Sequence, residues 1–220
     1  MMLNWVKNMK YVTLIMISLF LVGCGSGDAP EVTVNSVSHN GTGCPTGTSS
    51  IILTPDRKTV SVLFDGEYEA VAGAGSGEDA ASDVSEDRTA CNIAISLHIP
   101  SGYQAFLIGA GYRGELSLPV GGEAEFSREY FFAGSRGQVV KENWNGEVEN
   151  EEIRFFDELF ADSNFYAACG EDVILRANSS LSISAPVAGE TALIQLDSFD
   201  YQNQNYRTQF DYLFNYEKCS

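Results

Sequence analysis

Five cysteines, two histidines and 30 acidic side chains are the groups through which this 220-residue chain could do chemistry. Cys24 closes an apolar run in Leu21-Val22-Gly23-Cys24. That tetrad matches a bacterial lipobox at each position. It predicts a thioether-linked diacylglycerol on Cys24, cleavage before it, and acylation of the new amino group with a fatty acid such as palmitate. Lys7 and Lys10 supply the basic start of a signal peptide, and residues 11–21 its apolar centre. The run is too short to span a bilayer, which takes about 20 apolar residues. Several acyl chains, at roughly 0.8 kcal/mol per buried CH₂, give a stable anchor. Ser26 follows in place of Asp at the second mature position, so inner-membrane retention is not signalled and the outer membrane is the expected destination. A plain signal peptide with a chance cysteine is the alternative.

With Cys24 on lipid, Cys44, Cys91, Cys169 and Cys219 remain. An even number in an oxidising compartment predicts two disulfides. Three pairings are open. The favoured one is Cys44–Cys91 with Cys169–Cys219. The first would join the turn before one strand to the start of another; the second would tie the start of one strand to the end of the last. Each closes a loop of about 50 residues, which stabilises by about 4 kcal/mol on the chain-entropy model. A zinc site is the rival, but no CxxC spacing supports it.

Acidic clusters suggest a hard cation. Calcium takes clustered oxygen ligands, and two regions offer them. One holds Glu78, Asp79, Asp83, Glu86 and Asp87; the other Asn143, Asn145, Glu147, Glu149 and Glu151. The second set alternates, so a strand would present it on one face. Neither has the fixed offsets of an EF-hand, and both also fit a solvated charged surface. Paired carboxylates could hydrolyse a glycoside at about 5–9 Å separation, yet 30 acids guarantee chance pairs. His98 and His39 have no HExxH spacing and no GxSxG nucleophile to serve. His98 in an alternating strand should point opposite to Leu97 and Ile99.

Gly109-Ala110-Gly111-Tyr112-Arg113-Gly114 fits GxGxxG after a strand. A nucleotide site needs a helix next, to receive the pyrophosphate. Glu115-Leu116-Ser117-Leu118-Pro119 follows instead and reads as strand, so close packing at a bend or bulge is expected. Tyr112 and Arg113 are the candidate ligand residues: Arg113 for a carboxylate, or either for stacking on a sugar.

The elements that must hold these residues are strands. All four methionines leave with the signal, so the core must come from Val, Ile, Leu, Phe and Tyr, which favour strands. Expected strands are Glu31 to Val37, Ser49–Leu53, Thr59–Phe64, Cys91 to Ile99, Tyr103–Ile108, Tyr112 to Leu118, Glu123 to Phe132, Asp172–Ser184, Thr191–Phe199 and Tyr206–Tyr216. The central ones suggest a meander. Residues 73–88 form an acidic, breaker-rich loop. Residues 141–160 are expected to be irregular with a short helical turn, since Ile153, Phe156 and Phe160 fit a helical stripe. Many short strands with Gly/Pro/Asn turns predict an all-β fold: one antiparallel sandwich or jelly-roll-like domain with two disulfides. The expected division is signal peptide at 1–23, tether and first strand at 24–40, and sandwich domain at 41–220.

The signal carries two of the 13 basic residues and no acid. The mature chain therefore has 11 bases against 30 acids, a net charge of −19. Such a surface repels nucleic acid and anionic headgroups.

An ordered set of short stretches resembles the secreted family of domain of unknown function 4360. The set comprises Gly41-Thr42-Gly43-Cys44-Pro45, Val62-Leu63-Phe64-Asp65, Cys91 through Leu97-His98-Ile99-Pro100-Ser101-Gly102, and Tyr112-Arg113-Gly114. Ala168-Cys169-Gly170 and the run from Leu196-Asp197 to Tyr216-Glu217-Lys218-Cys219 complete it. The resemblance covers roughly residues 41–219. It implies a secreted domain with cysteines at these four points, in line with the favoured pairing, and no particular activity. The acidic insert at 77–88 and the lipobox depart from its pattern.

Together these features predict a non-enzymatic, lipid-anchored β-sandwich of the bacterial envelope. It would be structural or adhesive, with an envelope protein or glycan as partner and no nucleic acid. No cofactor is expected beyond possible calcium. The alternatives are a jelly-roll carbohydrate-active enzyme and a calcium-dependent surface module.

Overall fold

A computed structural model describes residues 30–47, 49–74, 83–84, 86–135, 137–159, 166–186, 190–196, 198–200 and 205–219. Cys24 and the signal peptide lie outside them. In chain order the strands are β1 (Thr33–Asn40), β2 (Ser49–Leu53), β3 (Thr59–Asp65), β4 (Tyr68–Ala74), β5 (Asp83–Val84), β6 (Glu86–His98) and β7 (Tyr103–Leu118). Then follow β8 (Glu123–Phe132), β9 (Gln138–Asn145), β10 (Val148–Glu158), β11 (Asp172–Ser184), β12 (Thr191–Leu196), β13 (Ser198–Asp200) and β14 (Asn205–Lys218). Among the described residues, no helix is long and apolar enough to cross a membrane.

Two antiparallel sheets pack face to face. One has the order β1-β6-β11-β8-β9; the other runs β2-β3-β14-β7-β12-β4-β5, with β10 on β7 and β13 on β14. Period-2 alternation built them. Ile93, Ile95 and Leu97 of β6, Leu175 and Leu181 of β11, and Phe126 of β8 face inward, against Val62, Tyr68, Leu116, Ile194, Phe210 and Phe214 of the second sheet. Burying each such side chain contributes about 1.5–3 kcal/mol. Because β1 pairs along β6, residues 33–40 are part of the sandwich.

The disulfides are Cys44–Cys91 and Cys169–Cys219, at Cα separations of 5.2 and 6.2 Å. The first links the loop after β1 to β6. The second joins the approach to β11 with the end of β14.

Four expectations need correction. The central strands form no meander: β6 lies in the first sheet, β7 in the second and β8 in the first again. Tyr103–Ile108 and Tyr112–Leu118 are one 16-residue strand, because the bulge at Ile108, beside Gly109, shifts the register and does not end the strand. Residues 141–158 are strands β9 and β10, not an irregular turn with helix. Ile153 is buried while Phe156 is 54% exposed, so the spacing that resembled a helical stripe does not mark one buried face. Part of the expected acidic loop is strand too, since β6 begins at Glu86. β4 was not foreseen in sequence; its Ala- and Gly-rich run carries little strand propensity.

Candidate functional site

β7 organises the site. Along one edge it pairs with β10, from Gly109 to Leu118. Along the other it pairs first with β14, through Gly111, and then with β12, from Glu115 to Ser117. The three glycines mark these events. Gly109 sits at the register shift opposite Leu213/Phe214, and Gly111 is the last partner of β14. Gly114 lies at the changeover, where an added Cβ would be 1.9 Å from the Gln195 carbonyl oxygen. The motif therefore serves close strand packing at a bulge, as its strand-like sequel indicated.

Inside the sandwich, β10 is tied to the opposite sheet by a buried polar network. Arg128 on β8 is 1% exposed and grips Asp157 on β10 with two donors, Nε to Oδ2 and Nη2 to Oδ1. Its Nη1 donates to the Phe126 carbonyl at 2.9 Å. The guanidinium also lies 4.4 Å from the Phe126 ring centroid. Burial opposes the charge on Arg128, yet the Asp157 carboxylate outweighs it and raises the Arg128 pKa. Tyr130 donates to Asp157, and its hydroxyl is 2.7 Å from that of Tyr112. Burial, reinforced by neighbouring Tyr130 and Asp157, pushes Tyr112 well above its ordinary range; burial and then Asp157 do the same to Tyr130.

Because Asp157 and Phe155 face inward, Phe156 faces out. Its ring lies along the outer surface of β7. A Cβ on Gly109 would come 2.5 Å from its Cζ, and one on Gly111 would come 4.0 Å from its Cδ2. The ring thus spans both glycines and turns its other side to solvent. Beside it runs a polar row across three strands. Ser61 Oγ donates to Asp211 Oδ1 at 2.6 Å, Gln209 Nε2 donates to the same atom at 2.9 Å, and Arg113 Nη2 donates to Gln209 Oε1 at 3.4 Å. Arg154 and Glu152 form an exposed ion pair alongside. An aromatic plane on a glycine floor, edged by amide, carboxylate and guanidinium groups, can stack a sugar ring and hydrogen-bond its hydroxyls.

The expected ligand pair is split by strand alternation: Arg113 is exposed in this row, while Tyr112 is 5% exposed in the core and cannot touch a surface ligand. In sequence Phe156 reads only as part of a helical stripe, and Gln209 and Asp211 are not singled out. Only the register of β10 and β14 on β7 brings them together.

Of the acidic sites, Asp79 lies outside the described residues, and Asp83 is described only in its backbone as part of β5. Asp87 accepts hydrogen bonds from the backbone amides of Val71 and Arg88. Glu147, Glu149 and Glu151 are all exposed. A bulge separates the last two: Val148 opposes Leu118 but Glu151 opposes Leu116, so one extra residue intervenes and the alternation changes phase. Asn150, with φ 43°, is at the kink. Among the described residues, no group of three or more His, Cys, Asp or Glu side chains is placed to hold a metal ion. His98 does point away from buried Leu97 and Ile99, and its Nδ1 lies 2.7 Å from Asp172 Oδ1. His39 is buried with Nδ1 3.2 Å from the Cys44 carbonyl oxygen.

Among solved structures, a family 61 carbohydrate-binding module in complex with β-1,4-galactotriose superposes over 84% of this chain and 90% of its own. It does so at 8% identity and a TM-score of 0.24. A family 11 carbohydrate-binding module from Clostridium thermocellum covers 81% of this chain and 87% of its own, at 8% identity and a TM-score of 0.19. Similarity at that level carries no functional information. Sequence relatedness is firmer. An "Uncharacterized secreted protein" of Arthroderma benhamiae is 31% identical over 180 residues, spanning 80% of this chain and 70% of that protein. The model of the family described as "Domain of unknown function (DUF4360)" matches residues 30–219, and the chain belongs to that family.

Proposed function

We propose that this protein is a lipid-anchored binding module of the bacterial envelope that holds glycans on the outer face of β7, β10 and β14 without transforming them. The anchor is the lipid on Cys24, after removal of residues 1–23, with the outer membrane as destination. The observation that carries the binding reading is Phe156, a ring 54% exposed yet seated across Gly109 and Gly111. Water is a poor neighbour for such a plane, and the apolar face of a sugar ring is a good one. Gln209 and Asp211 stand beside it to receive hydroxyls. The one hydroxyl of this row that meets a carboxylate, Ser61, is buried and serves to orient Asp211, which favours binding over catalysis.

The test is a glycan array probed with the purified mature protein and its Phe156→Ala variant. Retention on at least one class of polysaccharide, weakened about tenfold or more in the variant, is the expected result, since stacking on one aromatic side chain is worth about 1–3 kcal/mol where it has been measured for nucleobases. Binding that ignores the substitution would refute this face as the site. Release of shorter products from a bound polymer would establish the enzymatic alternative instead.

A further inference from the structure

Two arginines are paired directly opposite each other on neighbouring strands beside the exposed ring. Arg113 of β7 pairs with Arg154 of β10, two residues along from the Gly111–Phe156 pair and on the same face. Like charges directly opposite on neighbouring strands destabilise a sheet. The chain has 13 basic residues against 30 acidic ones, so carboxylate partners are abundant. Arg154 takes one: its Nε and Nη2 both donate to Glu152 Oε1. Arg113 is different. Its partner in the row is the amide oxygen of Gln209, a neutral acceptor. Among the described residues, no carboxylate lies within ion-pair distance of it. Asp211 holds the Gln209 amide nitrogen, which leaves Oε1 turned to Arg113 and steadies the guanidinium from one side. The remaining N–H groups form a planar fork suited to a planar anion.

We propose that Arg113 recognises the carboxylate of an acidic sugar, a uronate, whose ring stacks on Phe156. The proposal rests on the glycan reading of this face and adds the class of sugar. Diagonal neighbours across adjacent strands are about 7–8 Å apart, within reach of long and aromatic side chains, so one pyranose unit with its carboxylate bridges the two residues. The acidic surface elsewhere does not forbid this. The carboxylates of this face are engaged, Glu152 by Arg154 and Asp211 by Ser61 and Gln209, and at physiological ionic strength charges beyond about 8 Å are largely screened.

The test is calorimetric titration of the mature protein at physiological salt with galacturonate, glucuronate and mannuronate oligomers, each against its carboxyl-reduced neutral counterpart. Arg113→Gln and Phe156→Ala are run in parallel, after melts confirm that both fold. At least one uronate should bind about fivefold more tightly than its neutral form, the scale of an exposed ion pair. Arg113→Gln should abolish that preference, weakening the acidic oligomers more than their neutral counterparts, while Phe156→Ala should weaken both alike. Equal, Phe156-dependent affinity for acidic and neutral oligomers would overturn the uronate assignment and leave glycan binding standing. Silence of every oligomer together with a silent glycan array would overturn both. Dextran sulfate binding as tightly as a uronate through Arg113 would show bare charge attraction and refute carboxylate recognition.

Discussion

Arg128 and Asp157 are a charge pair inside the sandwich, one from each sheet. Such a pair adds little net stability, because desolvation consumes most of the attraction, but each partner makes the other indispensable. What it does here is fix orientation. With Asp157 held inward, alternation forces Phe156 out. The tyrosines around it give the pH prediction. Tyr68, Tyr112, Tyr130 and Tyr212 are buried, and burial raises the pKa of each. A raised folded-state pKa means that the native protein keeps protons the unfolded chain releases above about pH 10. Their contribution is intact below that pH and falls as pH rises past it. Alkaline titration should therefore show these phenols ionising together with unfolding: phenolate absorbance and Trp144 fluorescence should change in one coincident transition. Early, separate ionisation would show that the core is open to water.

At the scale of elements, β7 is the strand to perturb. Neither Gly109 nor Gly114 has a positive φ, so alanine strains neither backbone and the outcome depends on what the new methyl meets. At Gly109 it meets the Phe156 ring, the movable end of an exposed side chain, and less closely the Asp157 carbonyl oxygen at 3.0 Å; at Gly114 it meets the Gln195 backbone, which cannot yield without moving β12. Gly109→Ala should lift the ring and weaken glycan binding while lowering stability by less than Gly114→Ala does. Gly114→Ala should lower stability by about 1–3 kcal/mol, as overpacked cores do. Denaturant titration of both variants separates the two, and equal losses would refute the role of Gly114 at the changeover. The glycine spacing was plain in sequence. That it marks a bulge, a floor and a change of partner strand was not, because each depends on chain segments more than 40 residues away.

For the whole molecule, the proposed anchor would hold the sandwich close to a membrane, with residues 25–30 as tether. Replacing Cys24 by Ala should abolish labelling by palmitate and release the protein from the membrane fraction, with the fold intact. Retention of the label would refute lipidation at Cys24. The sequence alone determined a good deal at this scale: an all-β chain, four cysteines for two disulfides with the observed pairing favoured among three, and its family. Those properties follow from residue type, period-2 alternation and ordered motifs, which are local and survive without coordinates. Tertiary structure decided the rest. It assigned successive strands to opposite sheets, turned residues 141–158 into two strands, sent Tyr112 inward and Arg113 outward, and seated Phe156 beside Gln209 and Asp211. The physical reason is register. A face exists only once strands are paired, and one bulge, such as that between Val148 and Glu151, reverses which side chains share it.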